Sequence, residues 1–219
     1  YLVTSNQADG GGSVNLHANR FEDHLNAHRS TTIDTSTIAT DQRVIIPPMT
    51  AVKEREVLHQ RYPRLLELVR ECGINDIRPA TESTDGFPDV AFITSGLAYV
   101  YLEHALGILG LTGRFTILKL GITYPLDATL ISTLTERHKH LCVVEEKRPF
   151  VEAQVAAAMI QARQSTGADA QLWGKRFPDG NRGFPEEAGL MPTSTAECVA
   201  RLLKLLEEAE DEGRLDWDR

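Results

Sequence analysis

Hydrophobic residues along this chain change period several times, and each change marks an element. Between Ala51 and Cys72, Leu58, Tyr62, Leu65, Leu66, Val69 and Cys72 recur at three- and four-residue spacings, which predicts a helical segment with one apolar face. Pro63 lies inside that run and either kinks one helix or starts a second, and Gly73 is a stop signal. Short apolar runs at Val90–Thr94, Phe115–Leu120, Leu141–Val144 and Ala170–Trp173 then read as strands. Helical patterns alternate with them: about Leu97–Gly110, with Leu97, Tyr101, Ala105 and Ile108 on one face; about Ala128–His138; and about Phe150–Gln164, with Val151, Val155, Met159 and Ala162 as its buried stripe. Alternating strands and helices predict a mostly parallel sheet whose carboxyl edge gathers the turns that follow its strands.

A last helix is announced by a capping box, Ser194-Thr195-Ala196-Glu197. Its apolar face is Val199, Leu202, Leu203 and Leu206, and acidic fraying is expected after Glu207. Before it, the loop Gly174–Thr193 holds three Pro and four Gly. Loops this long in a compact domain are usually functional or part of an interface. Residues 1–42 are polar, include Gly10-Gly11-Gly12-Ser13 and show no period. They are expected to form an arm or linker, with a short helix around Arg20–His28. Residues 43–88 are expected to form a helical connector that opens on a short strand at Arg43–Ile46 before Pro47-Pro48. Its stretch Asn75–Pro88 is the best linker candidate, and residues 89–219 form the α/β domain.

A chain of 219 residues can bury roughly 70% of its unfolded surface and needs no disulfide or metal to fold. Its net charge of −8, with no basic stripe, argues against nucleic acid. No apolar run is long enough to span a membrane, and no signal peptide is visible. Cys72, Cys142 and Cys198 stand far apart in apolar stretches, which argues for reduced thiols in the cytoplasm rather than a disulfide frame or a zinc site. The first residue is Tyr1, which points to an excised, processed or partial piece.

Candidate chemistry collects at the three turns. Ser95 and Gly96 stand where a strand meets a helix, a place where backbone N–H groups can hold an anion; the alternative is a turn and a helix cap. Glu145 and Glu146 end a strand beside Lys147 and Arg148. They could divide acid–base work if burial separated their pKa values, but a structural ion pair is the favoured reading. His24 and His28, and His138 and His140, lack the further ligands of a metal centre. No GxGxxG, GxxxxGK[ST] or GxSxG is present.

Read together, "DVAFITSGLAYVYLEHAL" (Asp89–Leu106), "ILKLGITYPLD" (Ile117–Asp127), "CVVEEKRPFVEAQV" (Cys142–Val155) and "WGKR" (Trp173–Arg176) resemble the indolepyruvate ferredoxin oxidoreductase family. This family belongs to the thiamine-dependent 2-oxoacid:ferredoxin oxidoreductases. The likeness is to the domain similar to the C-terminal domain of transketolase. It covers about Val90–Leu206, more loosely Arg43–Ile77, and not residues 1–42.

The resemblance implies a three-layer αβα fold with a doubly wound, mostly parallel sheet that allows one antiparallel edge strand. It implies a parent enzyme that oxidatively decarboxylates arylpyruvates with thiamine diphosphate, magnesium, coenzyme A, iron–sulfur clusters and ferredoxin. The chain lacks a GDG…N signature and closely spaced cysteines, and the family's thiamine-activating glutamate lies in another domain. The chain is therefore expected to bind no cofactor itself and to be inactive alone. Ser95, Gly96, Thr123, Tyr124, Pro125, Glu145, Glu146 and Arg148 would dock other domains or subunits of the same oxidoreductase. An isolated piece is expected to expose an apolar patch and self-associate. Two other readings keep the α/β fold: a free-standing module for a small anion, and the C-terminal domain of another thiamine enzyme, such as a 2-oxoacid dehydrogenase or transketolase.

Overall fold

A computed structural model describes Ser36 and residues 46–215. The arm over 1–42, apart from Ser36, the helix around Arg20–His28 and the strand expected at Arg43–Ile46, apart from Ile46, lie outside the described residues. The chain divides after Val52, and the α/β fold belongs to the compact unit Lys53–Arg219.

The helical run contains α1 (Met49–Glu56), a π-type turn (Val57–Arg61) and α2 (Tyr62–Glu71). Pro63 lies in the first turn of α2, and Tyr62 N–H reaches back five residues to Val57 C=O. A proline has no N–H and crowds the carbonyl four residues before it, so the preceding turn widens. The backbone stays helical through Glu56, Arg61 and Tyr62, so Pro63 marks a π-type bulge in one continuous run rather than a break. Val69 is its buried residue, while Leu58 and Cys72, assigned to the apolar face, are exposed. After α2, Gly73 takes a positive φ and Ile74 N–H returns to Val69 C=O, closing the helix.

The strands are β1 (Asp76–Arg78), β2 (Val90–Ser95), β3 (Thr116–Leu120), β4 (His140–Val144) and β5 (Gln171–Trp173). The helices between and after them are α3 (Gly96–Ile108), α4 (Ala128–Thr135), α5 (Val151–Thr166) and α6 (Pro192–Leu215). The strand order is β1-β3-β2-β4-β5. β2 pairs in parallel with β3 and β4, β4 pairs in parallel with β5, and β1 runs antiparallel along β3. The segment expected as a linker thus contributes the antiparallel edge strand.

Side chains alternate across the sheet, so each strand feeds two cores. Phe92, Cys142 and Val144 pack with Ala98 and Leu102 of α3 and Val199, Leu202 and Leu206 of α6. Ala91, Ile93, Leu118, Leu141 and Val143 pack with Ile131 of α4 and Val155 of α5 on the other face. Helices on both faces of a mostly parallel sheet make a three-layer, doubly wound α/β fold. Each fully buried Phe, Leu or Ile stabilises it by roughly 1.5–3 kcal/mol.

Three local expectations change. In α3 the buried face is Ala98, Tyr99, Leu102, Ala105 and Leu106, while Leu97 and Ile108 face solvent. The helix is apolar nearly all round, so spacing alone could not choose its face. In α5, Ala158 takes the fully buried place expected of Met159, which is only partly covered. The capping box does not form: α6 starts at Pro192, Ser194 sits inside its first turn with Oγ accepting from Met191 N–H, and the helix continues to Leu215.

Candidate functional site

The chain places β3 on one side of β2 and then crosses to put β4 on the other. At such a switch point the loops leaving the adjacent strands diverge and open a crevice at the carboxyl edge. Here the crevice lies between the ends of β2 and β4. It encloses about 300 Å³ and is lined by Ser95, Gly96, Thr123, Glu145, Glu146 and Phe150, among others. Five of the eight residues singled out from the sequence therefore share one cleft. Tyr124 stacks at its rim, Pro125 follows in a cis peptide, and Arg148 is exposed without a place in the lining.

The first turn depends on backbone conformation. Ser95 is extended, at φ −147°, and Gly96 turns into α3 with φ +53°. A Cβ on Gly96 would meet nothing within 4 Å, so glycine is required for its dihedral rather than for space.

The second turn is clamped from two directions. Asn75 Oδ1 accepts from Gly121 N–H at 2.9 Å and Ile122 N–H at 3.2 Å. A Cβ on Gly121 would come within 2.5 Å of the Ile74 carbonyl oxygen, so the close approach of the two chains requires glycine. On the other side Gln154 of α5 donates to Thr123 C=O at 2.9 Å and accepts from Leu126 N–H at 3.2 Å. Tyr124 packs edge-on to Tyr62 of α2, centroids 5.6 Å apart, and against Phe150 at 6.3 Å.

The third turn corrects the expected ion pair. Glu145 is 7% exposed and forms no ion pair among the described residues. Its Oε2 accepts from the N–H groups of Phe150 and Val151 at 3.1 and 2.8 Å, and Oε1 accepts from Glu152 N–H at 3.0 Å. A helix start leaves such donors without intrahelical partners, and its dipole favours an anion there. Glu145 caps α5 from six residues away. Glu146 Oε1 accepts from Leu190 N–H at 3.1 Å, tying the long loop to the same edge.

Two further groups complete the rim, and the sequence reading gave neither a role. Lys175 is 3% exposed, and its Nζ donates to Glu145 C=O at 2.7 Å and Pro185 C=O at 3.1 Å. Burial pushes its pKa down. Glu152 Oε2 accepts from Lys175 N–H at 2.9 Å, and burial pushes the Glu152 carboxyl up. A Cβ on Gly174, before Lys175, would clash with Glu152 Oε2 and make a tight contact of 3.1 Å with Val143 C=O. The only hint in the sequence was "WGKR" leading into a glycine-rich loop.

The donors and acceptors at this edge thus bind the chain to itself. Among the described residues no cation lines the cleft, and its carboxylates are Glu145 and Glu146. That lining does not fit a diphosphate. The cysteines do not fit an iron–sulfur cluster either: Cys142 is buried in β4 with its thiol pushed up by burial, and Cys72 is exposed at the end of α2. What the rim does offer is apolar surface, with Leu97 44%, Tyr124 52% and Phe150 55% exposed. No helix among the described residues is long and apolar enough to cross a membrane.

Fold and rim together define a doubly wound α/β domain held closed at its carboxyl edge. Residues 83–217 match the family model of the indolepyruvate oxidoreductase domain, and the chain belongs to that family. Relatives include the indolepyruvate oxidoreductase subunit IorA of Methanothermobacter thermautotrophicus, 36% identical over 136 residues, 61% of this chain and 21% of the relative. IorA of Archaeoglobus fulgidus is 31% identical over 113 residues, 52% of this chain and 17% of the relative. The chain thus spans about a fifth of the length of these relatives. Among solved structures, the 2-oxoglutarate:ferredoxin oxidoreductase of Magnetococcus marinus is similar over 72% of this chain and 24% of that one, at 12% identity and a TM-score of 0.42. An inactive split-gene transketolase β4 tetramer is similar over 59% of this chain and 42% of that one, at 14% identity and a TM-score of 0.40.

Proposed function

We propose that this chain serves as a structural, docking domain of an indolepyruvate-type 2-oxoacid:ferredoxin oxidoreductase and is catalytically silent alone. The whole enzyme would oxidatively decarboxylate an arylpyruvate to an acyl-CoA and reduce ferredoxin, in the cytoplasm. Thiamine diphosphate, magnesium and iron–sulfur clusters would be held by its other domains or subunits. In this reading the carboxyl edge meets those other parts through Leu97, Tyr124 and Phe150, while Ser95–Gly96, Thr123–Pro125 and Glu145–Phe150 shape the surface beneath them.

The observation that carries the reading is the state of Glu145. Both of its oxygens are taken by the start of α5, so the most buried acid of the cleft is spent on the fold. A surface with fixed backbone and exposed aromatics suits recognition by another protein surface. The test is isothermal titration of the chain with thiamine diphosphate and magnesium. No stoichiometric heat is expected, and tight one-to-one binding would overturn the assignment.

A further inference from the structure

At the opposite, amino edge of the sheet lies a larger cavity, about 360 Å³, within the usual size range of small-molecule sites. Its apolar part comes from Ile77 of β1, Val90 of β2, Phe115 and Leu134. Arg114, Arg137 and His138 also line it, together with Asp89.

The balance of charge around this cavity is uneven. Each oxygen of the half-exposed Asp89 has one partner: Oδ1 lies 2.7 Å from His138 Nδ1, and Oδ2 accepts from Lys139 N–H at 3.1 Å. Arg114 spends one N–H on Ser83 C=O at 2.8 Å and lays its guanidinium 5.2 Å from the Phe87 ring centre. Arg137 is exposed; its backbone N–H donates to Leu134 C=O, and its guanidinium has no hydrogen-bond or ion-pair partner among the described residues. Neither arginine meets a carboxylate among the described residues. In a chain of net charge −8, acids outnumber bases 31 to 23, so two guanidiniums at one cavity without an ion-pair partner among the described residues are conspicuous. Each guanidinium carries five N–H donors in a planar fork that matches a carboxylate.

We propose that this amino-edge cavity is a binding site for a small organic carboxylate, with its apolar body among Ile77, Val90, Phe115 and Leu134 and its carboxylate met by Arg137 and Arg114. An apolar pocket with a few convergent cationic donors is the expected form of such a site. The proposal does not rest on the docking role, because the cavity is built from the other ends of the strands.

Benzoate is the probe, with benzamide as its neutral isostere and inorganic phosphate as an anion without an apolar body. The readout is amide chemical-shift mapping on the 219-residue chain. Benzoate should bind with a Kd of roughly a millimolar or tighter, as befits so small a ligand, and shift Thr84, Val90, Thr116 and Arg137. Arg137→Gln should weaken benzoate about tenfold or more, since a charged hydrogen bond is lost. It should leave the rest of the spectrum in place, because the side chain is exposed and supports no other group. Benzamide and phosphate should bind at least about tenfold more weakly than benzoate by the same reasoning. Absence of benzoate shifts up to about ten times that Kd would overturn the proposal. So would equal binding by benzamide or by Arg137→Gln, or shifts confined to Ser95, Thr123 and Glu145.

Discussion

Arg70 and Asp127 form a two-pronged ion pair: Nε to Oδ2 is 2.6 Å and Nη2 to Oδ1 is 2.7 Å. The pair joins the last turn of α2 to the start of α4. Asp127 also caps α4, accepting from Thr129 N–H at 3.1 Å and Thr129 Oγ1–H at 2.7 Å. One buried carboxylate therefore fixes the far end of the second edge turn and the helix that carries it away. Its arginine is 49% exposed, so solvent screening discounts the Coulombic part of the pair.

Hydrogen bonds from Arg70 hold the Asp127 carboxyl below the usual carboxylate range, against burial, which pushes it up. A lowered folded pKa adds stability that is complete above the unfolded value, about 3.9. That stability is lost as pH falls through the lower folded value. Urea midpoints measured from pH 6 downward should fall more steeply for the parent than for Arg70→Met in this acid range. At neutral pH, Arg70→Met should cost about 1–2 kcal/mol by leaving a buried acceptor with fewer partners. Asp127→Ala should cost about 1–3 kcal/mol, since a cap is lost as well.

Glu145→Ala should lower stability by about 2–3 kcal/mol, because the N–H groups of Phe150, Val151 and Glu152 all lose their acceptor. Glu145→Gln keeps one good acceptor and should cost about half as much. Thermal unfolding of both variants ranks them. If Glu145 had instead formed an ion pair with Lys147 or Arg148, Lys147→Met or Arg148→Met would reproduce the loss; both are expected to be neutral.

Glu152 carries the opposite sign to Asp127. Burial raises its folded pKa, so its contribution is fully present below the unfolded value, about 4.3, and is lost as pH rises through the folded one. Glu152→Gln retains an oxygen for Lys175 N–H and removes the titration. Relative to the parent, this variant should gain stability from pH 4 to pH 8, read as a rising difference in urea midpoint.

Gly96→Ala should cost about 1 kcal/mol, because φ is +53° while the space around it is open. Gly174→Ala should cost more and loosen the loop from Lys175 to Leu190, since its Cβ would strike the Glu152 carboxylate that accepts from Lys175 N–H. Limited proteolysis within that loop separates the two: cleavage is expected to quicken only for Gly174→Ala.

The parallel core was legible because Val90–Thr94 and Leu141–Val144 are apolar on both faces, which only a doubly covered strand tolerates. β1 was not. Asp76-Ile77-Arg78 has one apolar residue between two charges, and its strand state comes from pairing with β3. The three edge turns were legible as positions, since each follows a strand. Their bonding was not, because Glu145 reaches across five residues to the start of α5, well beyond the usual cap spacing. Lys175 and Glu152 were illegible for a related reason. A loop lysine and a helix glutamate are solvated until the fold closes the loop over them, and nothing local in "WGKR" or "FVEAQV" records that closure.

On the proposed function, the carboxyl edge is a buried interface within a larger oxidoreductase. Hydrogen–deuterium exchange of this chain alone and of the same segment within the assembled parent enzyme tests it most directly. Amides in Ser95–Leu97, Thr123–Leu126 and Glu146–Val151 should exchange at least about tenfold more slowly in the assembly, while amides at the outer face of α4 stay unchanged. Equal exchange at all three turns in both states would contradict the account.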